Sequence, residues 1–147
     1  MLNDIYQAIK GQLKTPSNSI TGEPREGIDL NCEWFNMQYD GTMVHDSGFF
    51  VAFPDRIPFD RISKQARRTS VLIRLHHYSK AMQTHDGLSD ATVEEHEDVA
   101  LKAKALLDGF TPANGACKRL EFVGWQHWHK WKGWMVTFIE FEAKKEI

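Results

Sequence analysis

Cysteine is scarce in this chain of 147 residues, which holds only Cys32 and Cys117. Their separation forms no C-x-x-C pair, which excludes both a zinc knuckle and a dithiol redox centre. The simplest reading is two buried thiols, because a bridge between them would be reduced in a cytoplasmic protein. Long apolar runs are missing too. No stretch of about 18 apolar residues could span a bilayer, and Met1 to Leu13 carries charge along its length instead of the basic start and apolar centre of a secretory signal. The whole chain is therefore expected to be the mature protein, made in the cytoplasm without a membrane partner. A charge excess is also lacking: 18 Lys and Arg against 20 Asp and Glu leave a net charge of −2 and a pI near 6.4. Bulk phosphate binding is excluded, and contact with a polyanion would have to be local. Finally, there is no G-x-S-x-G, phosphate-cradling glycine loop, H-E-x-x-H or G-x-G-x-x-G. Neither an enzyme nor a resident cofactor is expected.

What is present suffices for a core. Apolar residues make up 41% of the chain, and the length predicts a single domain over residues 1–147 with no internal repeat. Leu2, Ile5, Tyr6, Ile9 and Leu13 fall at helical spacing, so Met1 to Lys14 reads as an amphipathic helix, with Asn3 or Asp4 accepting its first free amides. Thr15 to Gly27 gathers prolines, glycines and small polar residues and reads as a loop. Ile28 to Tyr39 alternates like a strand but changes phase near Trp34. After a turn at Asp40 and Gly41, the apolar run Gly48 to Pro54 predicts a second strand, the two making a hairpin. Pro54 to Arg68 reads as an exposed connection, and Ser70 to Tyr78, rich in β-branched residues, as the central strand.

A polar stretch, Ser79 to Ser89, precedes the second helix. Thr92 and Glu95 have the spacing of a capping box, and Val93, His96, Val99, Ala100, Ala103, Leu106 and Leu107 form one stripe. Acids crowd the first turns, and Gly109 can take the left-handed closing position. Lys118 to His127 and Trp134 to Glu142 then read as adjacent antiparallel strands that turn near Lys132 and Gly133. The predicted class is α+β: a mostly antiparallel sheet of about five strands with two helices on one face, in the order α-β-β-β-α-β-β.

Three constellations could carry function. His127-Trp128-His129 puts two imidazoles on one strand face, and His76-His77 lies on the central strand, so a histidine metal site or a nucleic-acid-binding module can be drawn there. No carboxylate support is in sequence reach, and without a metal these residues read as polar histidines at a hairpin tip and on a solvated strand edge. His96 reads as a core-edge histidine. Trp125, Trp128, Trp131 and Trp134 recur every third residue along the last hairpin. Such indoles can stack bases or sugars, but they are also the usual anchors of protein interfaces, and the negative net charge favours protein. Trp128 and Trp131 are the expected contacts, with Trp131→Ala weakening self-association. Arg61, Lys64, Arg67 and Arg68 form the densest basic cluster, on a connection rather than at a helix start. They could meet an acidic partner or face DNA inside an assembly.

Taken in order, the opening helix Leu2-Asn-Asp-Ile-Tyr-Gln-Ala-Ile9, the strand Ser70-Val-Leu-Ile-Arg-Leu-His-His-Tyr78, the helix end Ala-Lys-Ala-Leu-Leu107 and the closing strand Trp134-Met-Val-Thr-Phe-Ile-Glu-Phe141 resemble the small tail-completion or tail-terminator proteins of long-tailed phages. The resemblance implies a virion protein with helices on one side of its sheet. It further implies a ring of subunits, typically a hexamer, that caps the tail tube and docks to head-connector proteins, with DNA met only in passage through the ring lumen. The tryptophan-rich hairpin and the Thr15 to Gly27 loop depart from that pattern, yet exposed aromatics and segments that order on assembly suit a ring.

Overall fold

The computed structural model describes residues 1–16, 25–41, 43–81, 88–128 and 131–147. The elements run α1 (Leu2–Lys14), β1 (Asn31–Trp34), a 3₁₀ turn (Gln38–Asp40), β2 (Ser47–Ala52), β3 (Asp60–Arg61), β4 (Arg67–Lys80), α2 (Asp90–Leu107), β5 (Glu121–Trp128) and β6 (Trp134–Glu146). The class is α+β, as the pattern predicts, with six strands in place of about five. Most of the Thr15 to Gly27 loop, most of the Ser79 to Ser89 stretch, and His129 lie outside the described residues.

The sheet is ordered β1-β2-β4-β6-β5, with β3 on the lower part of β4. Its spine is the β4–β6 pair, which stays in register from Arg68↔Glu146 to Lys80↔Trp134. Side chains alternate between faces along such a ladder, and here both alternations are apolar over part of their length. Val71, Ile73, Leu75 and His77 of β4, with Thr137, Ile139, Phe141 and Ala143 of β6, point to the face that α1 and α2 cover. There all but the buried polar His77 and Thr137 join Ile5, Ile9, Leu13, Ala100, Ala103 and Leu107 in the main core. Each Val, Leu, Ile or Phe among them contributes roughly 1.5–3 kcal/mol when fully removed from water. Gln12, buried on α1, is held by donating to the Leu106 carbonyl at 3.0 Å, which ties the two helices together.

Three local expectations are corrected. The strand predicted over Ile28 to Tyr39 ends at Trp34, because Met37 adopts a left-handed conformation (φ 57°) and turns the chain into the 3₁₀ segment. The predicted hairpin with the next strand does not form, and β1 pairs with β2 in parallel, Asn31↔Gly48 to Trp34↔Val51. The intervening segment instead crosses over the second sheet face and brings the chain back in the same direction. At the helix starts, α1 has no side-chain cap, so neither Asn3 nor Asp4 serves as one. The cap of α2 is Ser89, whose Oγ accepts from the Thr92 amide at 3.2 Å, rather than Thr92 itself. Because α2 starts at Asp90, its free amides lie one turn earlier than the capping-box spacing implies, and Ser89 is placed to meet them.

Gly109 closes α2 at φ +80°, a region that side chains with a Cβ rarely enter. Gly48 matters for a different reason: a Cβ there would stand 2.5 Å from the Tyr78 hydroxyl and 2.8 Å from the Asn31 carbonyl oxygen. Because one of those atoms is backbone, Gly48→Ala should part β1 from β2 and destabilise the protein by about 2 kcal/mol. A thermal melt at wild-type temperature would show that the strands had found room elsewhere.

Candidate assembly surfaces

The second face of the sheet, opposite the helices, carries an aromatic cluster built from three places in the chain. Phe50 of β2, Tyr78 of β4, and Val136 and Phe138 of β6 are buried at its floor. Phe35 and Tyr39 come down on them from the crossover segment, and Trp128, Trp131 and Trp134 from the β5–β6 hairpin. The rings interlock: Tyr39 lies 4.4 Å from Trp131, and Trp131 stacks on Trp134 at 4.4 Å with planes 6° apart. Phe50 and Tyr78 stack at 4.5 Å. Aromatic pairs at these separations add about 0.5–1.5 kcal/mol beyond burial.

Beside this cluster the sheet is left open as a groove of about 790 Å³, bordered by Trp34, Phe35, Tyr39, Phe53, His76 and Trp128. Arg74 crosses its wall, its guanidinium 4.9 Å from the Phe138 ring and donating to Glu140 at 3.2 Å. Ser70 bonds Glu142 farther along the same face. His76 is clamped between Phe35 at 4.6 Å and Phe138 at 4.3 Å, with its Nδ1 at 2.9 Å from the Tyr39 hydroxyl. Burial, aided by the charge of Arg74, lowers the His76 pKa to about 3. Burial likewise raises the Tyr39 phenol above its ordinary range. Both groups are thus neutral near pH 7. The groove offers ring faces and hydrogen-bonding edges.

The helix-side face holds a second line of imidazoles. His77 donates from Nδ1 to the Gly48 carbonyl at 3.1 Å, while its Nε2 meets no hydrogen-bond partner among the described residues. His96 of α2 stacks on it at 4.4 Å and has the hydroxyls of Ser79 and Thr137 at its two nitrogens, 2.5 and 2.9 Å away. His127 approaches the same Thr137 hydroxyl at 3.5 Å. Desolvation lowers His77 to about 3 and His96 to about 4, with lesser contributions from the neighbouring imidazoles. The reading of His76 and His77 as a solvated strand edge is therefore corrected: β4 is central, and the two are 4% and 1% exposed on opposite faces. His96 is the core histidine its helical position predicts. Cys32 and Cys117 are free and buried, and burial pushes the Cys32 thiol up to about 12.

The sequence-predicted contact residues fall into two groups at opposite ends of β4, about 40 Å apart at the rise of an extended strand. Trp128 and Trp131 sit at one end, half-buried within their own chain. At the other end Arg61, Lys64 and Arg68 are exposed, and Arg67 is half-buried. Arg61 and Arg67 donate to the Ser63 carbonyl at 3.1 and 3.2 Å, which stiffens the β3–β4 turn. Trp131→Ala is accordingly expected to lower the stability of the monomer as well, by about 1–2 kcal/mol, through loss of its rings' contacts with Tyr39 and Trp134. Unchanged urea unfolding of the dilute monomer would contradict this. Sequence reasoning missed Tyr39 as the partner of Trp128 and Trp131, and Phe35 as a partner of His76; the signal was the Met37-Gln-Tyr-Asp-Gly41 turn. Among the described residues, no three His, Cys, Asp or Glu side chains gather so as to hold a metal ion. No described helix is long and apolar enough to cross a membrane.

No family model matches the chain, and no curated protein matches its sequence. Its fold is similar to that of a chain in the virion of a native gene transfer agent (GTA) particle, with a TM-score of 0.65 and 12% identity over 99% of this chain and 97% of the other. At that identity the likeness is one of fold.

Proposed function

We propose that this protein is a structural component of a phage-like virion, acting by fitting against copies of itself and against neighbouring virion proteins. The observation that carries the reading is the end-to-end likeness of fold to a chain of a gene transfer agent virion, in which almost no part of either chain is left over. The residues gathered on its surfaces agree with such a role. Aromatic rings and an Arg74 paired with Glu140 border an open groove, and the buried His76 beneath it is held by the Tyr39 hydroxyl.

Within that reading, the finer assignment is tail completion: a ring of subunits, six in the simplest case, that terminates the tail tube and meets the head connector. The order of elements favours it, as does the division of the molecule into an aromatic end and a basic end about 40 Å apart. A ring subunit presents different ends to different neighbours, and DNA would meet the basic end, Arg61 to Arg68, only in passing through the lumen. Sedimentation velocity over a wide concentration range tests the assembly. A closed oligomer should grow in with concentration and appear as rings by negative-stain microscopy. A strictly monomeric protein up to near-millimolar concentration would remove the reading.

A further inference from the structure

The two edges of the sheet are unlike, and each is flanked by its own helix. On one edge, β5 has no described strand beyond it. Trp125 lies on its helix-side face opposite Ile139, and Val93 and Glu97 of α2 border the same small groove of about 300 Å³. Helical spacing puts Glu94 and Leu101 on that flank of α2 as well, and Lys104 farther along covers the Phe122 ring. The apolar members are conspicuously open: Val93 is 39% exposed, Leu101 48%, Val123 51% and Trp125 38%. Edge strands in monomers are usually protected by lysine, proline or a covering element. From Glu121 to Trp128 there is no lysine or proline, and the one irregularity of the strand is a bulge between Phe122 and Gly124.

At the other edge, β1 lies beside α1. Trp34 is 41% exposed although it packs on Tyr6 and Phe53. Lys10 and Lys14 project on this flank, Lys10 over the Tyr6 ring, and both line a shallow pocket against Cys32. The first half of the α2 flank is therefore apolar and acidic through Glu94 and Glu97, with Lys104 beyond it at Phe122, and the α1 flank is apolar with Lys10 and Lys14 on the helix and Asp29 beside them in the pocket.

We infer that the α2/β5 flank of one protomer docks on the α1/β1 flank of a second copy, head to tail. This deepens the assembly reading above and rests on it. Charge decides between arrangements. Two α2/β5 flanks meeting about a two-fold axis would set Glu94 and Glu97 against their own copies, and two α1/β1 flanks would oppose Lys10 and Lys14. Only the unlike pairing brings Glu94 and Glu97 to Lys10 and Lys14. Strand direction agrees. Since β1 runs with β2, and each later neighbour reverses, β5 runs opposite to β1. A copy added in the same orientation sets its β1 antiparallel to β5 and keeps all helices on one side. The β1 carbonyls of Cys32 and Trp34 already accept from Tyr6 and Gln38, so the seam rests on the flanking side chains more than on new ladder bonds. A heterologous contact of this kind closes into a ring when its rotation divides a full turn.

The test uses charge reversal at exposed positions, with sedimentation velocity as readout and thermal melts to confirm that each variant folds. Lys10→Glu/Lys14→Glu and Glu94→Lys/Glu97→Lys should each associate at least tenfold more weakly than wild type. An equimolar mixture of the two should regain the oligomer, because every unlike junction is again oppositely charged. Putting all four changes in one chain should also restore it. An oligomeric wild type whose assembly survives both reversals would overturn this interface while leaving the assembly reading in place. So would reversals that fail to complement on mixing. A wild type that never associates removes the assembly reading itself, and the interface with it.

Discussion

Phe50→Ala should destabilise the protein by about 3–5 kcal/mol, the range for deleting a fully buried aromatic side chain. Phe50 is 1% exposed and contacts Phe35, Tyr39, His76 and Tyr78. Its removal leaves a cavity at the point where the crossover segment lands on the sheet. The loss should also be uneven. Tyr39 would lose its floor, so amides over Phe35 to Asp40 should exchange with solvent faster than those of the β4–β6 spine. Urea unfolding gives the total, and hydrogen exchange its distribution. A loss below about 1 kcal/mol, or exchange that quickens equally in β4, would mean that the second cluster is not a separate cooperative unit.

Acid should unfold the protein well above the range in which carboxylates titrate. His76, His77 and His96 have pKa values lowered to about 3, 3 and 4, chiefly by burial, whereas in the unfolded chain each titrates near 6.5. Below pH 6.5 the unfolded state binds more protons than the folded one, so stability rises with pH in this window. Their contribution is fully present above 6.5 and is lost as pH falls toward 4 and 3. Each imidazole that stays neutral costs up to about 1.4 kcal/mol per pH unit. Three of them through two units approach the whole stability of a typical domain, about 5–15 kcal/mol. The midpoint of urea unfolding should therefore fall steeply between pH 6.5 and 4.5. His77→Phe keeps a ring against His96 and Phe49 and removes one titrating group, so its slope in this window should be shallower by about 1 kcal/mol per pH unit. A slope equal to that of wild type would show that His77 is protonated in the folded state.

The acid sensitivity and the aromatic cluster share a structural cause. Both follow from β4 being central in the sheet and covered on both faces over His76 to Tyr78. The β-branched alternation from Ser70 announces a central strand, but nothing in Arg74-Leu-His-His-Tyr78 announces the cover on both faces. The alternation there suits a strand with one wet face, and two adjacent histidines look polar until the 3₁₀ segment roofs His76 and α2 covers His77.

By itself, the sequence determined the elements whose signals are local. The period of apolar residues placed α1 and α2, and β-branched alternation placed β4 and β6. Gly109 marked the end of α2, because only a glycine takes φ +80° without strain. The α+β class followed from that order. The short Trp128–Trp134 connection already made β5 and β6 antiparallel neighbours, but tertiary structure alone decided how the other strands were ordered. That β1 pairs in parallel with β2 depends on where the crossover lands, and the landing is fixed by His76, Trp128 and Trp131, residues distant in the chain from Tyr39. The helix starts were decided there too: α1 begins without a side-chain cap, and α2 begins one turn before Thr92, where Ser89 accepts from the free Thr92 amide. The tryptophans show the limit most clearly. Their spacing marks a surface rich in indole, but whether a ring faces its own chain or a neighbour depends on what lies across from it. For Trp128 and Trp131 that is Tyr39, contributed by a turn about ninety positions earlier in the chain.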